Sequence, residues 1–438
     1  MDCILNCSWF FNFFNALFEV KINSYIYIFF HAVLKMKNNF TKKILKNGIT
    51  LLFEKRDVPV VSIIVAIKSG GNSEDLSQKG ISHFVEHMLY KGTKTRTARK
   101  IAEDIERNGG ELNGFTSEEI TGFWCKMPQE SYEIGLDVLI DMVKNPLFDE
   151  KEMEKERKVI FEEIKLYHDN PLRHIFNEIQ KCLYSGALKI SLIGTNETMN
   201  SIDRRKILQR FQETYTSKNL VVCIVGDADI NKIEKLFNSS FEEKTCNDSL
   251  KKIILKNEIK VEKRKGIDQA NLVFGYHAPL ASDKKSIVAL ILNTILAGGM
   301  SSRLFSEIRE KRNLAYAVKS GSEIAKDFSY NWIYVGTNKE NTKEVEELIL
   351  KEFKKVSESL DEKELNSVKK QLVGNYHISM EDSQIQMVNL LASEIHTKAE
   401  DFYDFEKEIN KVKLADVKEM ASKVKKGNYS LFILEPEN

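Results

Sequence analysis

Two of the chain's eight histidines stand four residues apart, with a glutamate between them, in ISHFVEHMLYKGT, Ile81 to Thr93. At about 100° per residue on a helix, His83, Glu86, His87 and Tyr90 share one face, while Ile81, Phe84, Val85, Met88 and Leu89 cover the other. Imidazoles one turn apart can grip a single ion, and zinc accepts imidazole nitrogen at about 2.0–2.1 Å. Glu86 lies on the same face, where it could reach a water on the ion instead of the ion itself. The order H-x-x-E-H is a known helical zinc pattern. The competing reading is a pair of core histidines with no metal. A catalytic zinc site needs a third protein ligand and keeps one position open for water, so the motif predicts another donor elsewhere.

The stretch DEKEMEKERKVIFEEIKLYHDNP, residues 149–171, offers one. Asp149 is a plausible N-cap, and Asn170–Pro171 ends the helix. Met153, Glu156, Ile160, Glu163, Ile164 and Tyr167 form its buried stripe. Lys151, Glu154, Lys155, Lys158, Glu162 and Lys165 form the solvent stripe, where Glu154, Lys158 and Glu162 can pair at i, i+4. Glu156 and Glu163, two turns apart, are turned toward the core, which a carboxylate tolerates only with a cation or donors. One metal ligand and one supporting partner of a ligand would explain both.

These residues need elements to position them. Strand-like runs alternate with amphipathic helices from Lys42 onward. VSIIVAIKSGG (Val61–Gly71) and EITGFWCKM read as strands, and ESYEIGLDVLIDMVKN as a helix. TARKIAEDIERNGG reads as a helix stopped by Gly109–Gly110. The second half repeats the order with ANLVFGYHAP, then KSIVALILNTILAGG, then the strand and helix of FSYNWIYVGTNKENTKEVEELILKEFKKV. Gly92 against Gly298 gives an offset of 206, and Trp124 against Trp332 gives 208. These agreements predict an internal duplication: an α+β chain of two homologous α/β sandwich domains, each of about 200 residues. The expected division is a metal domain over 36–245, a polar linker region over 246–265 and a second domain over 266–438. At the same offset His83, Glu86 and His87 become Ala289, Leu292 and Asn293, so the second domain would keep the helix and lack the trio. Of the other histidines, 168, 174, 277, 377 and 396 have no ligand-spaced neighbours and read as ordinary residues.

With those motifs in view, nearly all of Lys42 to Pro436 resembles the pitrilysin/insulinase/mitochondrial processing peptidase family of zinc metallopeptidases, especially its short bacterial members. HFVEHMLYKGT resembles the family's HxxEH segment, and ERKVIFEEI its third-ligand segment. The resemblance implies that His83, His87 and Glu163 hold one Zn2+ per chain, with Glu86 as general base and Glu156 supporting a ligand. GGELNGFTSEEITGF resembles the family's substrate-pairing edge strand, which implicates Asn113, Gly114 and Phe115. GGMSSRLFSEIREKRNLAY resembles its Arg…Tyr segment, so Arg309 and Tyr316 are the matching substrate contacts. Asn313 departs from the pattern, standing where glycine is usual, and puts the local turn in question. Relatives enclose substrate in a chamber of four domains. A two-domain chain therefore implies a dimer, expected to be a homodimer with Arg309 and Tyr316 acting across the interface on peptides or unfolded, presequence-like segments. The alternative from the same resemblance is a non-catalytic partner or core subunit, against which the intact metal set argues.

Composition narrows the classes further. Of 438 residues, 42% are hydrophobic, and Lys+Arg 65 against Asp+Glu 64 leaves no basic surplus for nucleic acid. GGMSSR and GDADI lack the Gly-x4-Gly-Lys-Ser/Thr order, so no nucleotide is expected. Six scattered cysteines without a CxxC pair fit a reducing, cytoplasmic setting. Residues 1–35 form an atypical aromatic-rich extension without Gly or Pro. Its apolar runs, broken by Glu19, Lys21 and Asn23, fall short of the roughly 18–20 residues of a stable membrane span. That segment is expected to lie outside the folded core, with Met36 an ordinary start.

Overall fold

A strand covered on both faces needs apolar residues at every position. VVSIIVAI (β3, Val60–Ile67) and LVVCIVG (β7, Leu220–Gly226) meet that condition and are central, buried strands. The computed structural model describes residues 39–246 and 248–437; the aromatic-rich segment 1–35 lies outside them. The first sheet contains β1 (Phe40–Ile44), β2 (Thr50–Lys55), β4 (Glu111–Thr116) and β5 (Thr121–Pro128) with β3 and β7, in the order β1-β2-β7-β3-β5-β4. The second contains β9 (Ile259–Arg264), β10 (Ala270–His277), β11 (Ala315–Ile324), β12 (Ser329–Thr337) and β13 (Ser430–Pro436), in the order β11-β12-β10-β13-β9.

Read from its other end, the second sheet repeats β2-β7-β3-β5-β4 strand for strand. In each sheet only the corresponding pair, β2–β7 or β9–β13, is parallel. Trp124 in β5 faces Ile64 and Asn113, as Trp332 in β12 faces Gly275 and Gly321. The duplication inferred from the paired glycines and tryptophans is therefore present in the topology. Two strands fall within the span read as a linker: β8 (Ile253–Leu255), which pairs with β6 (Tyr184–Gly186), and β9. The charges in that span line exposed strand faces, which composition alone does not separate from loop.

Five helices decide how the site is held: α1 (Ile81–Leu89), α2 (Glu150–Asp169), α3 (Pro171–Leu183), α4 (Lys285–Ala297) and α5 (Ser383–His396). Helix α1 packs Phe84, Val85 and Met88 into the core on one face of the first sheet. Its counterpart α4 does the same on the second with Ile291, Leu292 and Ile295. The opposite faces are covered by exchange. From the second half, α5 lays Met387, Leu390 and Leu391 on Leu52, Ile64 and Val221. From the first half, α3 lays Ile175 and Ile179 on Val273, Trp332 and Phe432. A buried polar knot locks the first exchange: Glu54 accepts from Arg56 Nε (2.5 Å), Gln386 Nε2 (2.7 Å) and the Tyr403 hydroxyl.

The exposed stripe expected on α2 is exposed at all six positions. Its ion pairs differ from the expected i, i+4 set. Glu154 pairs with Arg157 and Glu162 with Lys165, both at i, i+3. Arg157 is drawn inward because its guanidinium donates to the Ile202 carbonyl at 2.8 Å and lies over the Phe84 ring.

Leu390 is fully buried between the halves. Leu390→Ala is expected to lower stability by about 2–5 kcal/mol in urea denaturation. An unchanged midpoint would mean that α5 does not cover the first sheet.

Candidate metal centre

Helix α1 begins at a conformation reserved for glycine. Gly80 has φ +93°, and a Cβ there would sit 2.5 Å from Met199 Cε and 2.8 Å from the Ile193 carbonyl oxygen. The free N–H groups of this helix start are met by Glu74, a buried carboxylate that accepts from Gly80 N (2.9 Å) and Ser82 N (2.7 Å). The buried Arg210 guanidinium donates to Ser82 Oγ at 3.1 Å. The polar face predicted for α1 is present but does not look onto open solvent. It lies under α2 and against β4, with His83 and Glu86 buried and His87 half-buried.

Helix α2 starts at Asp149, whose carboxylate accepts from Lys151 N and Glu152 N as expected of an N-cap. Glu163 then meets both imidazoles. His83 Nε2 and His87 Nε2 are 3.2 Å apart, and Glu163 Oε2 is 3.5 Å from the first and 3.6 Å from the second. Donors at about 2.0–2.1 Å from a tetrahedral ion stand about 3.3–3.4 Å from one another. The triangle therefore has the dimensions of one face of such a tetrahedron. Glu156, which the helical pattern could not distinguish from Glu163, faces away from the triangle. Its Oε2 is 3.2 Å from His87 Nδ1, and its Oε1 takes 2.7 Å from Lys91 Nζ. A proton on Nδ1 leaves Nε2 free to coordinate. The opposite ring nitrogen of His83, Nδ1, is buried with no hydrogen-bond partner among the described residues.

The charges in this site follow from burial and crowding. Burial, with help from His87, pulls the His83 pKa down to about 4. Burial would lower His87 as well, but hydrogen bonds to Glu156 and Glu163 outweigh it and push its pKa up to about 10. Burial would raise Glu163, yet the two imidazoles hold it below the ordinary carboxylate value. Glu86 is raised, because burial outweighs His87 and the 3.1 Å hydrogen bond from Thr116 Oγ1. A carboxylate raised in this way is a stronger proton acceptor than an ordinary one.

Strand β4 is the edge of the first sheet, and among the described residues no strand lies beyond it. Gly114 brings this edge to Glu86: a Cβ there would sit 2.4 Å from the Tyr90 hydroxyl, 2.9 Å from the Gly122 carbonyl oxygen and 3.2 Å from Glu86 Oε1. Asn113 Oδ1 accepts from Gly114 N at 2.8 Å, and Phe115 packs on the far face toward α5. Thr116 and Lys91 were not singled out in the sequence. Only their partners, Glu86 and Glu156, give them meaning, and both contacts are tertiary.

Arg309 and Tyr316 lie in the second half and make their contacts there. Arg309 covers Phe305 in a π-helical turn, Phe305–Glu310. Asn313 takes φ +55°, a left-handed conformation that asparagine tolerates, so the turn survives the loss of glycine. Tyr316 is the bulged residue of β11, 48% exposed, with its ring over Gly336 and its hydroxyl 2.9 Å from that of Tyr334. Within one chain, the donor triangle comes from the first half alone.

Two outcomes are expected here. Glu156→Gln should cost about 10–100-fold in zinc affinity, measured against a competing chelator; an unchanged affinity would free His87 from dependence on Glu156. In the metal-free chain a raised His87 pKa means a bound proton at pH 7. Zinc uptake should then expel about one proton per ion, with affinity rising from pH 6.5 toward 10 and proton release fading above it. Calorimetry in buffers of different ionisation enthalpy reads this, and zero release at pH 7 would contradict the raised value.

The comparisons agree with this architecture. The family description "Insulinase (Peptidase family M16)" matches residues 50–196, which contain the whole donor set, and "Peptidase M16 inactive domain" matches residues 201–372. An uncharacterized zinc protease of Bacillus subtilis, YmxG, is 33% identical over 398 residues, spanning 89% of this chain and 97% of that protein. An uncharacterized zinc protease of Rickettsia felis is 34% identical over 79% of this chain and 85% of its own length. Two solved structures share the fold. A protease from Helicobacter pylori has a TM-score of 0.82 at 22% identity over 91% of this chain and 99% of its own. A Pseudomonas fluorescens structure described as a peptidase M16 inactive domain has a TM-score of 0.83 at 19% identity over 91% and 98%. With two successive family segments matched and a relative above 30% identity across most of both chains, this chain belongs to the insulinase family of peptidases, family M16.

Proposed function

We propose that the chain is a zinc-dependent endopeptidase in which His83, His87 and Glu163 hold one ion and Glu86 is the general base. The observation that carries this reading is a triangle of converging donors beside a buried carboxylate, both against a free sheet edge. When bound, the ion supplies a Lewis acid that polarises the scissile carbonyl and lowers the pKa of a water toward about 7. Glu86, buried beside the three donors, would accept a proton from the attacking water and return it to the departing amine. Thr116 orients the Glu86 carboxylate, and Glu156 keeps His87 in the coordinating tautomer. An extended peptide can add to β4 as a further strand, held through its backbone along Asn113, Gly114 and Phe115 with loose side-chain selection. A closed chamber would exclude large folded proteins by size, so peptides and unfolded or presequence-like segments are the substrates. Asn113 or Tyr316 steadies the peptide or the oxyanion.

The same reading makes the active unit a homodimer that closes a chamber, with Arg309 and Tyr316 serving the metal centre of the other subunit. Its support is the placement of Arg309 and Tyr316 in the second half, where they contact Phe305 and Tyr334 and not the donor triangle, together with the exposure of Tyr316. Metal domain and second domain divide near residues 246–265. The free thiols of Cys125, Cys182, Cys223 and Cys246 suit a cytoplasmic setting. No described helix is long and apolar enough to cross a membrane.

Glu86→Gln should keep its zinc and lose about 10²–10⁴-fold in cleavage of a quenched fluorescent peptide. Retained cleavage would remove Glu86 from the chemistry, and a zinc-free active parent would remove the metal. Mixing Glu86→Gln with Tyr316→Phe chains should recover about a quarter of parent activity, because half of randomly paired dimers regain one complete site. No recovery would place Tyr316 in its own chain's site, and full activity of Tyr316→Phe alone would place it outside the reaction.

A further inference from the structure

Apart from the centre described above, one other set of described histidine and carboxylate donors converges. His168 lies in the last turn of α2, His174 in the first turns of α3, and Glu262 in β9; their donor atoms lie within 4.8 Å of one another. His174 is buried, with Nε2 2.9 Å from Glu262 Oε2. The two rings meet edge to face with centroids 5.2 Å apart. His168 Nδ1 lies 3.2 Å from Asp169 Oδ1, and a proton shared there leaves Nε2 with its lone pair free. His168 and His174 flank the sharp α2–α3 corner at Asn170–Pro171, so no single helical face could have revealed the pair.

We propose that His168, His174 and Glu262 form a second, weaker site for a borderline divalent ion such as Zn(II) or Ni(II), joining the α2–α3 corner of the first half to the second sheet. Two imidazoles and one carboxylate favour such ions over Mg(II) or Ca(II), which prefer all-oxygen shells. The His174–Glu262 pair is already assembled. The side chain of His168 is 63% exposed and can swing to close the remaining gap toward the about 3.3 Å donor spacing of a tetrahedral ion. Arg264 sets the limit on affinity. It donates to Glu262 Oε1 at 2.9 Å and to the His168 carbonyl at 2.6 Å, placing a positive charge beside the ion. This site is independent of the peptidase reading, because it shares no residue with the first centre.

Equilibrium dialysis of the tag-free full-length chain against micromolar Zn(II) tests it. The parent should reach about two zinc per chain, the second bound at least about tenfold more weakly than the first. His168→Ala, an exposed change that leaves the fold intact, should stop at about one. A His83→Ala/His87→Ala double variant should lose the tight equivalent and keep the weak one, which Ni(II) displaces and Mg(II) does not. A parent that saturates at one zinc, held in the His83/His87 centre, overturns the proposal. So does a His168→Ala chain that still takes two, since the cluster would then be packing alone. A parent chain that takes only the weak equivalent and lacks the tight one would instead count against the peptidase reading.

Discussion

Placing two imidazoles and a carboxylate on a helix that must also be buried is the constraint around which the rest of this molecule is arranged. Each polar atom on that face needs a partner or an ion, because burial without one costs several kcal/mol. Glu156 answers for His87, Thr116 for Glu86, and Glu74 for the helix start. Apart from the unpartnered His83 Nδ1, what remains among the described residues are three donor atoms facing one another across 3.2–3.6 Å. Hydrogen bonds to Glu156 and Glu163 favour the charged form of His87 there; a single ion would satisfy all three at once.

The second sheet half exists partly to make that burial possible. With α1 and α2 on one face of the first sheet, the other face presents Leu52, Ile64, Ala66 and Val221, and α5 from the second half covers it. The debt is returned by α3 on the second sheet. A metal half cut free of its neighbour would expose an apolar sheet face, so the two halves act as one folding unit. The exchange leaves β4 outside: it is close enough to Glu86 that only glycine fits at position 114, and its outer edge is open to a partner strand.

Much of this was legible without coordinates wherever one element carried the whole signal. The HxxEH spacing and the six-residue solvent stripe of α2 are properties of a 3.6-residue repeat, the Asp149 cap answers the free N–H groups of a helix start, and all three stand in the structure. A glycine pair and a tryptophan pair at offsets of 206 and 208 residues were together enough to find a duplication that five strands of each sheet repeat in order. The failures share a cause. Lys91 and Thr116 matter only through contacts with distant residues, β8 and β9 lie in a span whose charges read as a linker, and Arg157 turned inward to reach carbonyls some forty positions away.

By itself the sequence determined that a helix would present two histidines and a glutamate on one face, that a second helix would turn two carboxylates inward, and that the chain was built twice. Those facts depend on local periodicity, which short-range backbone geometry imposes. Which carboxylate joins the imidazoles, and which stands behind one of them, was decided only by the crossing of α1 and α2. The meeting of His168, His174 and Glu262 was decided the same way, by a corner between helices and a strand from the other half. Side-chain convergence depends on distances between elements far apart in the chain, and no repeat within either element encodes them.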